Sequence, residues 1–396
     1  MIITSIKSDN IYMFKDFDVD FTYVRRSSHF ISSNDTLFEG SHIYVRKNVI
    51  IMGGNASGKT TFGKLLCLIS NYLFNGRIDG EYFSLDNIAY NKEDSSKFVV
   101  EFVIDKTMYC LEVEFKQNVL IKETIKKCKL YKSYNIKTAR ENLANGEVIS
   151  QYIKKDNDVR SNNMLMSYFF LLNGSDNKEI EYIKNNVMYL FSLSQLGSVS
   201  SVKGSKVQIE QLNNILPKVD NSVEKVQPMY VNDVKTASYQ ISFNNGETLT
   251  VPDGNLLACK DRLSHGTYET IDFVNILDYM IKAKNMTVYI DEKLAHMHSE
   301  LESYLIRKAM VMKSKDTQLF ITTHNTDVFL LNVPMNVFLF FRRNNDGYNE
   351  CIYPTDKINK NDRNLLQYYR NDYFGVLPDY SILDNYFDSM IEYGED

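Results

Sequence analysis

The stretch Asn48-Val49-Ile50-Ile51-Met52-Gly53-Gly54-Asn55-Ala56-Ser57-Gly58-Lys59-Thr60 decides the fold. Its first five residues form a short apolar, β-branched run that stops at a glycine pair, the pattern of a buried central strand. Gly53 to Thr60 fit G-x-x-x-x-G-K-[ST], and beyond them Phe62, Leu65, Leu66, Leu68, Ile69, Tyr72 and Leu73 recur at helical spacing. In a strand, Gly-rich turn and helix of this kind, successive backbone N–H groups point at phosphate oxygens. Lys59 reaches the β- and γ-phosphates and the Thr60 hydroxyl ligates magnesium. The expected nucleotide-binding set is Gly53, Gly54, Asn55, Ala56, Ser57, Gly58, Lys59, Thr60 and Thr61. An ordinary Gly-rich β–α turn is the bland alternative, and the flanking strand and helix count against it.

Three further motifs follow. Met286-Thr287-Val288-Tyr289-Ile290-Asp291-Glu292 reads as an apolar strand ending in two acids. Asp291 suits the magnesium shell and Glu292 the activation of a water, the division that phosphoanhydride hydrolysis needs. Alone this is a weak signal; after a P-loop it becomes specific. Leu263-Ser264-His265-Gly266-Thr267 opens a helix with Ser264 as N-cap, and a Ser and Gly there suit a γ-phosphate. Phe320-Ile321-Thr322-Thr323-His324-Asn325 reads as a buried strand whose terminal His324 senses or polarises the γ-phosphate. Read singly, these two are a capped helix and a strand-end histidine. His296 and His298 lack further ligands at suitable spacing for a metal centre.

Composition narrows the classes. The chain has 396 residues, 44% of them hydrophobic and 13% aromatic, so it builds a core and is not disordered. A net charge of −5 argues against a basic nucleic-acid coat. The Lys-rich run from Lys116 through Lys122, Lys126, Lys127, Lys129, Lys132 and Lys137 to Arg140 reads as a solvated sheet face rather than a DNA-facing stripe. Five scattered cysteines (Cys67, Cys110, Cys128, Cys259, Cys351) show no C-x-x-C pair and read as reduced thiols. No secretory signal is visible, and the apolar stretch Val328 to Phe341 is too short and interrupted to span a bilayer. A cytoplasmic setting with no membrane partner is expected.

The hydrophobic patterning gives four segments. Residues 1–132 hold the P-loop and a β-subdomain, with β-rich patterning from 97 to 132. Residues 133–236 read as a helical insertion, clearest at Ser161 to Leu172, Glu179 to Leu196 and Val207 to Leu216. Residues 237–343 return to strand and helix alternation and carry the signature, the paired acids and His324. Residues 344–396 read as a C-terminal helical extension.

Taken in order, the P-loop, LSHGT, YIDE and TTHN resemble the ABC-type ATPase head shared by SMC proteins, RecF and the OLD family. The segment Ile290 to Leu301 (IDEKLAHMHSEL) and the tail Tyr368 to Pro378 (YYRNDYFGVLP) further resemble AAA-type ATP-binding proteins of bacterial abortive infection. The resemblance implies an α/β ABC-type P-loop head with an antiparallel β-subdomain and an inserted helical subdomain. It implies an ATPase using ATP and Mg²⁺, with Lys59 on phosphate, Thr60 and Asp291 as metal ligands, Glu292 as general base and His324 as switch histidine. Ser264 and Gly266 would act in trans, across a homodimer or higher oligomer closed around ATP. Gln151 is a distant candidate for a magnesium-contacting glutamine. His265 and Thr267 in the signature depart from the family pattern, which implies slow or partner-dependent hydrolysis. No D-x-D cluster follows His324, so the nuclease chemistry of OLD proteins is not expected. The role implied is a regulatory subunit of an anti-phage system that controls a separately encoded effector, a nuclease or toxin. The alternatives are a RecF/SMC-like ATPase acting directly on DNA and a nucleotide-gated scaffold with little hydrolysis.

Overall fold

The computed structural model describes residues 1–24, 35–78, 87–117, 119–155, 165–173, 177–193, 197–201, 209–232, 234–254, 262–283, 285–358, 365–377 and 386–387. Cys259, Pro378 and the first residues of the expected helix from Ser161 lie outside them.

A seven-stranded sheet runs in the order Gly197–Ser200, Met188–Leu193, Met286–Asp291, Gln318–Thr322, Asn48–Met52, Phe338–Arg343 and Asn349–Ile352. Its five inner strands are parallel, and an antiparallel strand closes each edge. Parallel strands are covered on both faces, which is why Val49 to Met52 are all buried. Alternate residues of that strand enter different cores: Val49 and Ile51 one, Ile50 and Met52 the other.

The first core lies under a six-stranded antiparallel sheet, ordered Glu147–Ile153, Val119–Lys129, Thr107–Lys116, Ser96–Ile104, Ile2–Asp9 and Phe17–Asp20. The helix Lys59–Asn75 fills this core with Phe62, Leu65, Leu66 and Leu73. Gly76 ends that helix in a left-handed turn. At its centre Glu123, fully buried, accepts hydrogen bonds from the Tyr72 hydroxyl and from the Phe169 N–H at 2.8 Å, which ties helix to sheet. The second core, on the opposite face, is packed by the helices His265–Lys282 and Ser299–Met312 and by the tail residues Tyr369, Phe374 and Val376. The chain thus has a mixed α/β architecture, the expected P-loop head with an antiparallel β-subdomain.

Two expectations need correction. The segment 133–236 is mixed rather than helical. It contains the helices Ile136–Ala144, Tyr168–Asn173, Lys178–Asn186 and Ile209–Val219, but Glu147–Ile153 joins the antiparallel sheet and Met188–Leu193 pairs parallel with Met286–Asp291. The expected helix Glu179 to Leu196 breaks at Val187 because the buried run Tyr189 to Leu193 fills an inner strand; short apolar runs are ambiguous between the two states. Likewise the residues after 343 are not only helical: Asn349–Ile352 is a strand of the core sheet, and the short helices Pro354–Lys357 and Leu365–Arg370 follow it.

Three of the eight basic residues in the Lys-rich stretch meet carboxylates among the described residues. Lys122 meets Glu112 at 3.1 Å, Lys127 meets Glu179 at 2.7 Å, and Arg140 bridges Asp20 and Glu101 at 2.7 and 2.8 Å. Among the described residues, no helix is long and apolar enough to cross a membrane.

Candidate functional site

The parallel strands deliver three of the expected motifs to one edge of the core sheet. The P-loop leaves the strand Asn48–Met52, the acids end Met286–Asp291, and His324 follows Gln318–Thr322, the strand between them. Adjacent parallel strands all end on the same side, so their terminal residues meet there.

The P-loop needs its glycines. A Cβ at Gly53 would stand 2.1 Å from the Phe341 carbonyl oxygen, and Gly58, at φ +95°, would direct one to 2.3 Å from the Asn349 amide nitrogen. Lys59 is 5% exposed, and its ammonium donates to the carbonyls of Gly53 and Gly54 at 3.1 and 3.2 Å. The same nitrogen stands 3.0 Å from His324 Nε2 and 3.5 Å from Glu292 Oε1, while His324 Nε2 and Glu292 Oε1 are 3.1 Å apart. Three motifs distant in sequence therefore close into one triad. Burial lowers the Lys59 pKa and the Glu292 carboxylate partly offsets this. The hydrogen bond with His324, supported by the charge of Lys59, holds Glu292 below the usual carboxylate range despite its partial burial.

Glu292 owes its direction to a backbone bend, since it takes a left-handed φ of +50°, a conformation that costs a non-glycine residue roughly 1–2 kcal/mol. Thr322 holds that bend. Its hydroxyl accepts from the Glu292 N–H at 3.0 Å and donates to Asp291 Oδ1 at 2.8 Å. Asp291 is fully buried beside it. Tyr289, two residues earlier, donates its phenolic hydrogen to the Lys59 backbone carbonyl at 2.6 Å and pins the P-loop helix to the acid-bearing strand. By sequence Thr322 is one residue of the strand before His324, and Tyr289 an apolar strand residue. Their contacts depend on strand pairing, which no local pattern reveals.

A further contact comes from the tail. The Gly54 N–H donates to the Val376 carbonyl at 3.1 Å. Asp372 Oδ1 accepts from the N–H groups of Val376 and Leu377 at 2.7 and 2.9 Å, and Arg342 donates to the Phe374 carbonyl at 3.2 Å.

Ser264 and Gly266 stand apart from this triad. Ser264 caps the helix His265–Lys282 by accepting from the Thr267 N–H at 3.1 Å, and Thr267 in turn contacts Asp220. The loop borders a cavity of about 750 Å³, lined also by Arg262, Glu247 and His298, and no P-loop residue reaches it. His296 is paired with Glu269 at 2.7 Å and stacks on His265 at 5.0 Å between ring centroids. Gln151 is exposed on the edge strand of the antiparallel sheet, paired across from Thr124, and does not join the triad.

The residues fit a nucleotide with its metal. Ser57 Oγ is buried without a hydrogen-bond partner among the described residues, a donor left over in the floor of the loop. Thr60 and Asp291 offer the hard oxygen donors that magnesium prefers.

No family model and no curated protein matches the sequence. Solved structures do. The Smc head domain with an extended coiled coil, bound to the C-terminal domain of ScpA derived from Pyrococcus furiosus, is 10% identical, with 89% of this chain and 96% of that chain covered and a TM-score of 0.44. The SMC head domain from Thermotoga maritima is 13% identical, covering 89% and 99%, with a TM-score of 0.39. The recombination mediator protein RecF with ATP, of the RecFOR pathway, is 12% identical, covering 89% and 97%, with a TM-score of 0.40. These are weak overall similarities, and what the site can do is read from its own geometry.

Proposed function

We propose that this chain is an ATP-binding and ATP-hydrolysing head that dimerises around ATP. The observation that carries the reading is the triad of Lys59, Glu292 and His324, which brings a phosphate-binding loop, an acid and a histidine within 3.5 Å of one another. Lys59 is held by loop carbonyls and by Glu292. A polyphosphate entering the loop offers it stronger charge-assisted partners, so Lys59 exchanges Glu292 for phosphate oxygen. Glu292 is then free to accept a proton from a water whose oxygen attacks the γ-phosphorus while the bond to the β–γ bridging oxygen breaks. His324, 44% exposed beside it, donates to a γ-phosphate oxygen. Thr60 and Asp291 would hold magnesium, which would supply charge neutralisation to the phosphates. Ser264 and Gly266 line an open loop away from their own P-loop, which supports their action on a nucleotide bound by a second copy.

The motif order and the tail support a regulatory role in bacterial anti-phage defence, with nucleotide state controlling a separately encoded effector. Carboxylate partners at Lys122, Lys127 and Arg140 reduce the positive charge that face could offer to DNA phosphates.

The test is Glu292→Gln. Loss of the base lowers turnover by about 10²–10⁴-fold while ATP still binds. Sizing with ATP and Mg²⁺ then gives a dimer. Undiminished turnover would overturn the assignment of Glu292, and a monomer at saturating ATP would overturn the dimer.

A further inference from the structure

Gly54 sits between two anchors. Its N–H donates to the Val376 carbonyl at 3.1 Å, and its own carbonyl accepts from the Lys59 ammonium at 3.2 Å and from the Ser57 N–H at 3.3 Å. Whatever fixes the Val376 carbonyl therefore also fixes where Gly54 presents its carbonyl to Lys59. The tail is some 320 residues away in sequence, yet it reaches the phosphate-binding cation through a single intervening residue.

Asp372 aims that carbonyl. The Leu377 N–H and the Val376 C=O belong to one trans peptide group, in which the two point in opposite directions. Asp372 Oδ1 accepts the Leu377 N–H at 2.9 Å and the Val376 N–H at 2.7 Å, so the carbonyl turns away from Asp372 and toward Gly54. A carboxylate on the N–H side also polarises the peptide and makes its oxygen a better acceptor. The turn around it is held at several points. Asp372 and Gly375 take left-handed φ values of +49° and +65°, and the Gly375 N–H donates to the Asp372 carbonyl at 2.9 Å. Arg342 donates to the Phe374 carbonyl at 3.2 Å, and the Phe374 ring is buried against Phe340 at 4.7 Å between centroids. Asp372 itself is exposed and buries no apolar surface, so what it contributes is direction.

We propose, resting on the P-loop reading above, that Asp372 is a positioning residue of the nucleotide site. It acts through the Val376–Leu377 peptide and Gly54 to hold the phosphate loop, and Lys59 with it, in the shape that binds phosphate. The Gly54 N–H is then an anchor of the loop and not one of its phosphate donors. The contribution is preorganisation: without the brace a smaller fraction of molecules carries a competent loop, and the apparent Kd rises by that factor. The brace grips the loop and not the base, so ATP and inorganic tripolyphosphate depend on it alike.

Calorimetric titration and steady-state turnover of the full chain test this with two variants. Asp372→Gly accepts the left-handed backbone but lacks the acceptor; Asp372→Asn suits that backbone and keeps an Oδ1 acceptor. Asp372→Gly should raise KM and the Kd for ATP and tripolyphosphate about tenfold, with kcat within about twofold and the melting temperature within about 3 °C. Asp372→Asn should return each to within about threefold of wild type. Removing a negative charge favours a polyanion, so weaker binding by Asp372→Gly runs against the electrostatics and reports the lost acceptor. The brace is overturned if Asp372→Gly binds ATP like wild type, if Asp372→Asn is as weak as Asp372→Gly, or if ATP weakens and tripolyphosphate does not. Wild-type protein that binds neither ligand overturns the P-loop reading, and amide exchange then decides the brace separately. Faster exchange in the peptide carrying Gly54 of Asp372→Gly supports it, and unchanged exchange there overturns it.

Discussion

The phosphate loop and the signature loop are built on opposite plans. Around Lys59 the charged side chains are already partnered: Lys59 is nearly inaccessible, held by two carbonyls, and meets Glu292 and His324 within 3.5 Å. Around Ser264 and Gly266 the surface is open, bordered by a cavity of about 750 Å³. A Cβ on Gly266 would meet nothing nearer than the His296 carbonyl at 3.6 Å. One region gathers its charged groups within a single chain. The other has space around it, which is what a surface needs if its contacts are to come from elsewhere.

The largest effect should come from breaking the closed region. Lys59→Ala removes the charge-assisted bonds to phosphate and should weaken ATP by roughly 100-fold in a binding titration. An unchanged affinity would mean that the loop does not hold the phosphates. The buried support of that loop is next. Glu123→Ala removes the acceptor that the Tyr72 hydroxyl and the Phe169 N–H share, and should lower unfolding free energy by about 1–3 kcal/mol in a denaturant titration. Glu123→Gln preserves the shape. Burial raises the Glu123 pKa, so its contribution is full below the unfolded value and is lost as pH rises through the folded one. The Gln variant should flatten that dependence.

The open region answers differently. Gly266→Leu should leave the melting temperature within about 2 °C, because its side chain enters open space. It should nonetheless reduce turnover and ATP-dependent dimerisation. A protein that keeps both would sever the signature loop from the reaction. The smallest effect concerns acid. The Glu292 pKa is lowered, chiefly by its hydrogen bond with His324, so the stabilisation it gives is present above the unfolded carboxylate pKa and fades as pH falls through the folded one. Glu292→Gln should therefore be slightly less sensitive to acid unfolding than wild type.

How legible this was depends on range. Asn48 to Thr60 announced strand, loop and helix because every cue there is local: a β-branched run, paired glycines and a helical repeat. The triad could be named residue by residue, and its convergence follows once three adjacent strands are known to be parallel. The segment from 133 to 236 departs from its expected helical character where Tyr189 to Leu193 suits helix and strand equally. Only pairing with Met286–Asp291 settles it, a partner nearly a hundred residues away. Thr322 and Val376 were invisible as site residues for the same reason. A hydroxyl that positions two acids and a carbonyl that holds Gly54 carry no signature of their own.

The tail that touches Gly54 has a consequence for how the protein is born. The P-loop strand is made early, yet its two sheet neighbours are Gln318–Thr322 and Phe338–Arg343, and Val376 is later still. At about 5–20 residues per second, the ribosome holds those neighbours back for on the order of ten seconds to a minute after Met52 emerges. During that interval the apolar strand Asn48–Met52 has no native edge to join. A chain released before the tail is translated has a phosphate loop without its last strut. Synthesis itself thus sets an order of assembly here, with the turn around Val376 joining after both sheet neighbours.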